Sequence, residues 1–248
     1  MLHVNAAIQE ALERQFPKPS RFLLAVSGGR DSQVLLSAFP HVARPLGHQV
    51  FAVGVNHGLR KEADSELDLA EFLAIKTNVP FERVGIRVAK GGNLLARARD
   101  GRYGVLNAKK AEYGCDAIVT AHHSDDKVET VLIRLFRMTS NGSLAVLPEL
   151  ADHGIFRPLL KVSRSQITKY ATSRKISFAD DPSNNMDQYQ RVYIRKTVLP
   201  LLEEIDPCIR RRLNLLADEA SELVKDGRLR YSQVGASGGS QSGEGEDL

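Results

Sequence analysis

Short apolar runs rich in β-branched residues recur along the first half of the chain: RFLLAV (21–26), HQVFAVGVN (48–56), PFERVGIRV (80–88) and CDAIVTA (115–121). Between them the apolar positions change period. Ala63, Leu67, Ala70 and Ala74 fall at i, i+4, i+7 and i+11, one face of a helix, and segments 94–113 and 125–137 read the same way. The opening MLHVNAAIQEALERQF is also amphipathic and carries acids, so it reads as a short helix and is unlike a secretory signal. Strands alternating with helices predict βαβ units. The expected fold is an open, doubly wound α/β domain with a mostly parallel sheet, running through about residue 160. In such sheets ligands bind beyond the carboxyl ends of the strands.

The pattern then changes. RPLLKVSRSQITKYATSRK opens with a strand-like run and continues as a basic helix, and FADDPSNNMDQYQ is a polar loop. RVYIRKTVLPLLEEIDPCIRRRLNLLADEASELVKD reads as two helices broken between Pro200 and Pro207. SQVGASGGSQSGEGEDL is Gly/Ser-rich and is expected to be disordered. The expected division is a core over 1–160, a C-terminal helical extension over 161–230 and a disordered tail over 231–248.

Composition adds constraints. With 42% hydrophobic and 26% charged residues a packed core is available. A net charge of +4 permits a polyanionic partner without requiring one. Cys115 and Cys208 are the only cysteines and lie far apart, which argues against a disulfide scaffold or a zinc site and fits a reducing cytoplasm. No apolar stretch approaches the ~20 residues of a membrane span.

The chemistry begins at LLAVSGGRDSQVLL (23–36), where an apolar run stops at Ser27-Gly28-Gly29 and a second begins after Asp31 and Ser32. Glycines let backbone N–H groups turn toward one point, and a helix N-terminus adds partial positive charge. The combination is an anion cradle sized for phosphate or pyrophosphate. It has neither the spacing nor the lysine of a Walker loop. A tight turn with a Ser/Asp helix cap is the plain alternative.

In HHSDDKVETVLIRLF, Val128, Val131, Leu132 and Leu135 make an apolar helix face, and Asp126 and Glu129 fall together on the opposite face. Two carboxylates at a helix start suit a magnesium ion or a cationic amine, or simply complement the helix dipole. His122 and His123 end the fourth strand. Either can meet an adenine or a phosphate, and His123 can equally serve as a strand-end hydrogen bonder. His57 is a turn residue or a participant. Arg99 and Arg102, three apart, form a basic pair beside Tyr103, Arg191 and Arg195 form a second, and Arg210 to Arg212 is a basic run at a helix end or an RNA contact.

Taken together these stretches resemble one family. SGGRDS resembles the PP-loop of the N-type ATP pyrophosphatases. VNHGLRKEADSE (55–66), ARDGRY (98–103), TAHHSDDKVETVLIRLFR (120–137), FRPLL (156–160) and DDPSNNMDQYQR (180–191) resemble, in order and spacing, blocks of the tRNA(Ile)-lysidine synthases. The resemblance implies an adenine nucleotide alpha hydrolase-like core that uses ATP and Mg2+. It assigns Ser27, Gly28, Gly29, Arg30, Asp31, Ser32 and His122 to ATP, and Asp31 and Asp126 to the metal. Asp126 and Glu129 would hold the ammonium of free L-lysine or the metal. Arg99 would act at a phosphate or at the RNA backbone beside the reacting base, and Arg102, Arg191 and Arg195 would bind RNA. The implied reaction joins lysine to C2 of the wobble cytidine of tRNA(Ile) with a CAU anticodon. The implied setting is cytoplasmic, without a membrane, and family precedent suggests a homodimer. A tRNA thiolase of similar chemistry, or a nucleotide-binding RNA module without turnover, are the alternatives.

Three features depart from the family pattern. Met138 stands where a glycine is usual, within RMTSNGSLAVLPEL. Val192 stands where an Asn is usual, within RVYIR. No further C-terminal tRNA-gripping domain fits after residue 230.

Overall fold

The computed structural model describes residues 2–56, 58, 63–86, 94–136, 144–151, 153–179 and 186–228. Helix α1 (Leu2–Gln15) leads into β1 (Arg21–Val26), followed by α2 (Arg30–Ala43), β2 (Gln49–Asn56), α3 (Ala63–Lys76), β3 (Phe81–Gly85), α4 (Leu94–Glu112), β4 (Ala117–Val119) and α5 (Ser124–Phe136). Two short strands, β5 (Leu150–Ala151) and β6 (Ile155–Phe156), precede α6 (Arg164–Ser173), α7 (Met186–Tyr193), α8 (Leu199–Ile205) and α9 (Ile209–Lys225).

The six strands form one sheet in the order β3-β2-β1-β4-β6-β5. All neighbours run parallel except β5 and β6. The expected doubly wound, mostly parallel sheet is therefore present. The antiparallel β5 edge was not legible, because two residues carry no period. β1 lies at the centre, and its alternate side chains feed two cores. Phe22, Leu24 and Val26 face α1, α2 and α6, where Phe22 meets Phe16 edge-on at 4.8 Å and Phe39 at 5.3 Å. Leu23 and Ala25 face the opposite side, with Leu106 of α4 and Cys115. A third cluster joins α5 to the extension through Val128, Val131, Leu132, Leu213 and Ala217.

The chain winds outward from β1 through β2 and β3, then returns to β4 on the other side of β1. The winding thus reverses between β1 and β4, and their carboxyl ends open the crevice where doubly wound sheets take ligands.

The break expected between Pro200 and Pro207 falls at the far end of that span, and the helical path runs on through Pro200. A π-helical stretch, Ile194–Val198, links α7 to α8, with Leu199 N–H bonded to the Ile194 carbonyl, and Pro200 lies in the first turn of α8. The wider turn accommodates a residue that has no N–H to give. The break comes at Asp206–Cys208, where the Asp206 carboxylate accepts from Cys208 N at 2.9 Å. Among the described residues no helix is long and apolar enough to cross a membrane.

Candidate active site

The bend after β1 is built by its own hydroxyls. Ser32 Oγ accepts from Ser27 N at 3.1 Å, lies 3.0 Å from Ser27 Oγ, and has the Ser27 and Gly29 carbonyls at 2.7 and 2.9 Å for its single proton. Gln33 Nε2 donates to the Ser27 carbonyl at 2.9 Å. The first bond of α2 runs from Gln33 N to the Gly29 carbonyl, so the N–H groups of Arg30, Asp31 and Ser32 precede the helical ladder. Gly28 is required by contact. A Cβ there would lie 2.6 Å from Glu66 Cβ and 2.7 Å from the Glu66 carbonyl oxygen, because the first turn of α3 lies against the bend. Ala179 N donates to the Gly28 carbonyl at 2.8 Å and closes the outer side.

Asp31 leaves the first turn of α2 and meets His123; β4 stops at Val119, so His122 and His123 do not end the strand as expected but lie in the stretch between β4 and α5. The His123 ring is fully buried. Its Nε2 lies 3.5 Å from Asp31 Oδ2 and 3.6 Å from Asp126 Oδ2, and its Nδ1 lies 3.7 Å from Asp125 Oδ2. Among the described residues neither nitrogen has a hydrogen-bond partner. Asp126 Oδ2 also accepts from His123 N at 3.0 Å. Burial alone would raise the Asp31 pKa, but the nearby His123, Arg30 and Arg164 outweigh it and hold the carboxyl down at about 2. Asp31 is thus a carboxylate over the whole ordinary pH range.

The acidic start of α5 is met by arginines from the extension. Asp125 accepts from Arg164 N at 2.8 Å and from Arg210 Nη1 of α9 at 2.9 Å. Glu129 is fully buried, which its place on a polar face did not foretell. It takes Arg195 Nε at 2.7 Å and Nη2 at 3.0 Å, with Arg164 Nη2 at 3.6 Å and Arg191 Nη1 at 4.0 Å. Arg164 Nη2 also stands 3.8 Å from Asp126 Oδ1, and its Nε is buried without a partner among the described residues. The Arg195 fork therefore faces Glu129 in this structure.

His122 belongs to a different neighbourhood. Its Nδ1 is 2.8 Å from Thr120 Oγ1. Burial, followed by the charges of Arg157, Arg102, Arg191 and Arg99, pushes its pKa down to about 3. Arg99 is exposed and lies over the Tyr103 ring, its guanidinium carbon 5.9 Å from the centroid. Arg157, just after β6, is only 7% exposed; its Nη1 donates to the Pro148 carbonyl at 2.6 Å and its Nε has no partner among the described residues.

The fold thus brings Ser27 to Ser32, Asp31, Asp126, Glu129 and Arg195 to one crevice, with Arg191 at its side. It sets Arg99 and Arg102 on α4, against the opposite face of the sheet from α2. Sequence reading missed Arg164, Arg157 and the central place of His123. His57, the loop 138–143 with Met138, and the Asp180–Asn185 part of the polar loop lie outside the described residues. Among the described residues no group of three or more His, Cys, Asp or Glu could hold a metal ion. Asp31 and Asp126, both near one His123 atom, match the way Mg2+ is usually held, by one or two carboxylates together with substrate phosphates.

Comparison with known proteins gives a consistent result. Residues 1–202 match the family model of the PP-loop domain. The chain is 34% identical to the tRNA(Ile)-lysidine synthase of Haemophilus ducreyi over 239 residues, covering 91% of this chain and 54% of that protein. It is 36% identical to the enzyme of the same name from Methylococcus capsulatus, covering 83% of this chain and 47% of the relative. The chain therefore spans about half the length of the curated relatives it matches. Among solved structures, the U34-tRNA thiolase NcsA from Methanococcus maripaludis, determined with its [4Fe-4S] cluster, superposes with a TM-score of 0.75 at 17% identity. That match covers 97% of this chain and 84% of the thiolase, and shows the shared fold.

Proposed function

Because the chain belongs to the PP-loop domain family, we propose that it carries an ATP-dependent ligase of the cytoplasm that modifies the wobble position of tRNA. The fuller reading is attachment of free L-lysine to C2 of the wobble cytidine in tRNA(Ile) with a CAU anticodon. The observation that carries it is the convergence of the Ser27–Ser32 bend and the acidic start of α5 on His123, beside curated relatives that bear the lysidine synthase name.

The N–H groups of Arg30, Asp31 and Ser32, with Ser27, Gly28 and Gly29 shaping the bend, bind the β and γ phosphates of ATP. The cytosine O2 attacks the α phosphorus. An O–P bond forms, the α–β bridge breaks, and pyrophosphate departs toward the bend, where these amides meet its growing charge. Mg2+, when bound, supplies further positive charge there, and Asp31 and Asp126 are the residues that would hold it. The lysine amine then attacks C2, the C2–O2 bond breaks, and AMP leaves with that oxygen. Asp126 orients the amine, which sheds a proton as the C–N bond forms. Glu129 reaches the amine only where the Arg195 fork gives way. Arg99, Arg102 and Arg191 meet the RNA. A base in the single-stranded anticodon loop is free to be splayed into such a crevice. A homodimer follows family precedent.

The thiolase reading is weaker for this chain. Cys115 is buried, with its thiol pushed up to about 11 by burial, and Cys208 is exposed at the start of α9.

The test is direct. Purified protein, ATP, radiolabelled lysine and a tRNA(Ile) transcript with a CAU anticodon should give lysine label in the RNA. A transcript with a UAU anticodon should stay unlabelled. Label in neither RNA overturns the lysine reading.

A further inference from the structure

Most arginines that meet the core of this protein face a carboxylate. Arg195 has Glu129, Arg210 has Asp125 and Glu203, Arg164 has Asp126 and Glu129, and Arg14 has Glu149. Arg99, Arg102 and Arg157 do not. Among the described residues no carboxylate lies within 4.0 Å of any of them. Arg157 is the sharpest case. It is 7% exposed, with a carbonyl on Nη1 and, among the described residues, no partner on Nε. A buried guanidinium without a counter-ion is costly, and a site of this kind is completed by an anion.

Backbone geometry places these groups together. Thr120 N donates to the Phe156 carbonyl at 2.9 Å, and a parallel bridge joins His123 to Leu159. The segment 157–159 therefore runs alongside 120–123, which sets Arg157 beside His122. The charge of Arg99 acts on both Arg102 and Arg157, and its guanidinium stands over the Tyr103 ring of α4. α4 packs on the sheet face opposite α2, so Arg99 and Arg102 approach from the other side of the sheet than α2 does, and His122 is next in the chain to His123.

We propose that Arg99, Arg102 and Arg157, with the His122 ring beside them, form a subsite for one phosphodiester of the RNA strand flanking the reacting cytidine. This rests on the RNA-modifying reading above and extends it. It adds Arg157, and it moves His122 from the nucleotide to the RNA. Guanidinium forks suit phosphate oxygens through paired charge-assisted hydrogen bonds. A phosphate fixed here holds the splayed nucleotide in register while the bend holds the triphosphate.

The experiment pairs protein variants with RNA in which one linkage is uncharged. Anticodon stem-loop RNA carries a single methylphosphonate on the 5′ or the 3′ side of the reacting cytidine, and affinity is measured without ATP or lysine. One of the two linkages should weaken wild-type binding ~10-fold and lower the salt slope by about one. Arg157→Gln should weaken binding to the all-phosphate RNA by a similar factor and make that linkage silent. Arg99→Gln, at an exposed position, should show the same coupling and serves if Arg157→Gln does not fold. Additive losses at both linkages overturn the proposal. A melting-temperature rise with inorganic phosphate that Arg157→Gln abolishes, without coupling at either linkage, assigns the site to free phosphate and overturns the RNA assignment. Coupling without lysine incorporation leaves the subsite standing and removes the lysidine reading; incorporation without coupling does the reverse.

Discussion

Arg195 grips Glu129 with both arms of its fork, at 2.7 and 3.0 Å, although the two lie 66 positions apart in the chain. The carboxylate is almost wholly buried, so the pair clamps the π-helical link between α7 and α8 onto α5. Removing the cation leaves a buried charge with only the looser Arg164 and Arg191 nearby. Arg195→Met should destabilise the protein by about 3 kcal/mol in denaturant unfolding. The double variant Arg195→Met, Glu129→Gln should recover most of that loss, because the fully buried carboxylate charge is removed together with its closest partner. Equal losses in the single and double variants would show that the pair matters by packing alone.

Asp126 is the more accessible of the two acids. Asp126→Asn should cut lysine incorporation by at least ~100-fold through a misplaced amine. Folding should survive, because the amide oxygen can still accept from His123 N. Rapid-quench assays of label transfer beside circular dichroism check both halves.

Gly28 tests the bend. The Cβ of Gly28→Ala would overlap Glu66 backbone and side chain together, so α3 or the bend must shift. The expected cost is about 1–3 kcal/mol of stability. ATP affinity should fall with it, since the amides are aimed by the same bend. Gly29 faces only Ser27 Oγ at 3.5 Å, so Gly29→Ala should leave stability nearly unchanged. Calorimetric melting and nucleotide titration of the two variants make the comparison.

The alternation of strands and helices was legible because periodicity is local, and so was the bend, because its glycines and hydroxyls lie within six residues. The long pairings were not. Nothing near Arg164 in SRSQITK says that it will stand between Asp126 and Glu129, and nothing in FRPLL says that Arg157 will be buried with no carboxylate beside it among the described residues. The acidic helix start was readable at Asp126 but misleading at Glu129, since an acid on a polar face is normally solvated. Only the packing of α7 and the π-helical link over α5 buries it. The two prolines bracketed the break between helices, but the wide turn that carries the helix through Pro200 has no sequence signature of its own.

His122 should give the protein a distinctive pH response. Its folded pKa is depressed to about 3 from an ordinary 6.5 by burial and by four arginines. Between these values the unfolded chain binds a proton that the folded chain does not, so stability is full above pH 6.5 and declines as pH falls toward 3. Asp31, with its pKa lowered from 3.8 to about 2, adds a second loss of the same sign in the window between those two values. His122→Gln should flatten the upper part of the profile and Asp31→Asn the lower part. Unfolding midpoints of the three proteins from pH 7 to pH 2 read this out.

The measurement closest to the central claim is the fate of ATP labelled on its α phosphate, incubated with the protein, lysine and the CAU transcript. Amides that hold the β and γ groups leave the α phosphorus as the point of attack, so the labelled product should be AMP, with unlabelled pyrophosphate beside it. Labelled ADP with release of orthophosphate would contradict the account at its base.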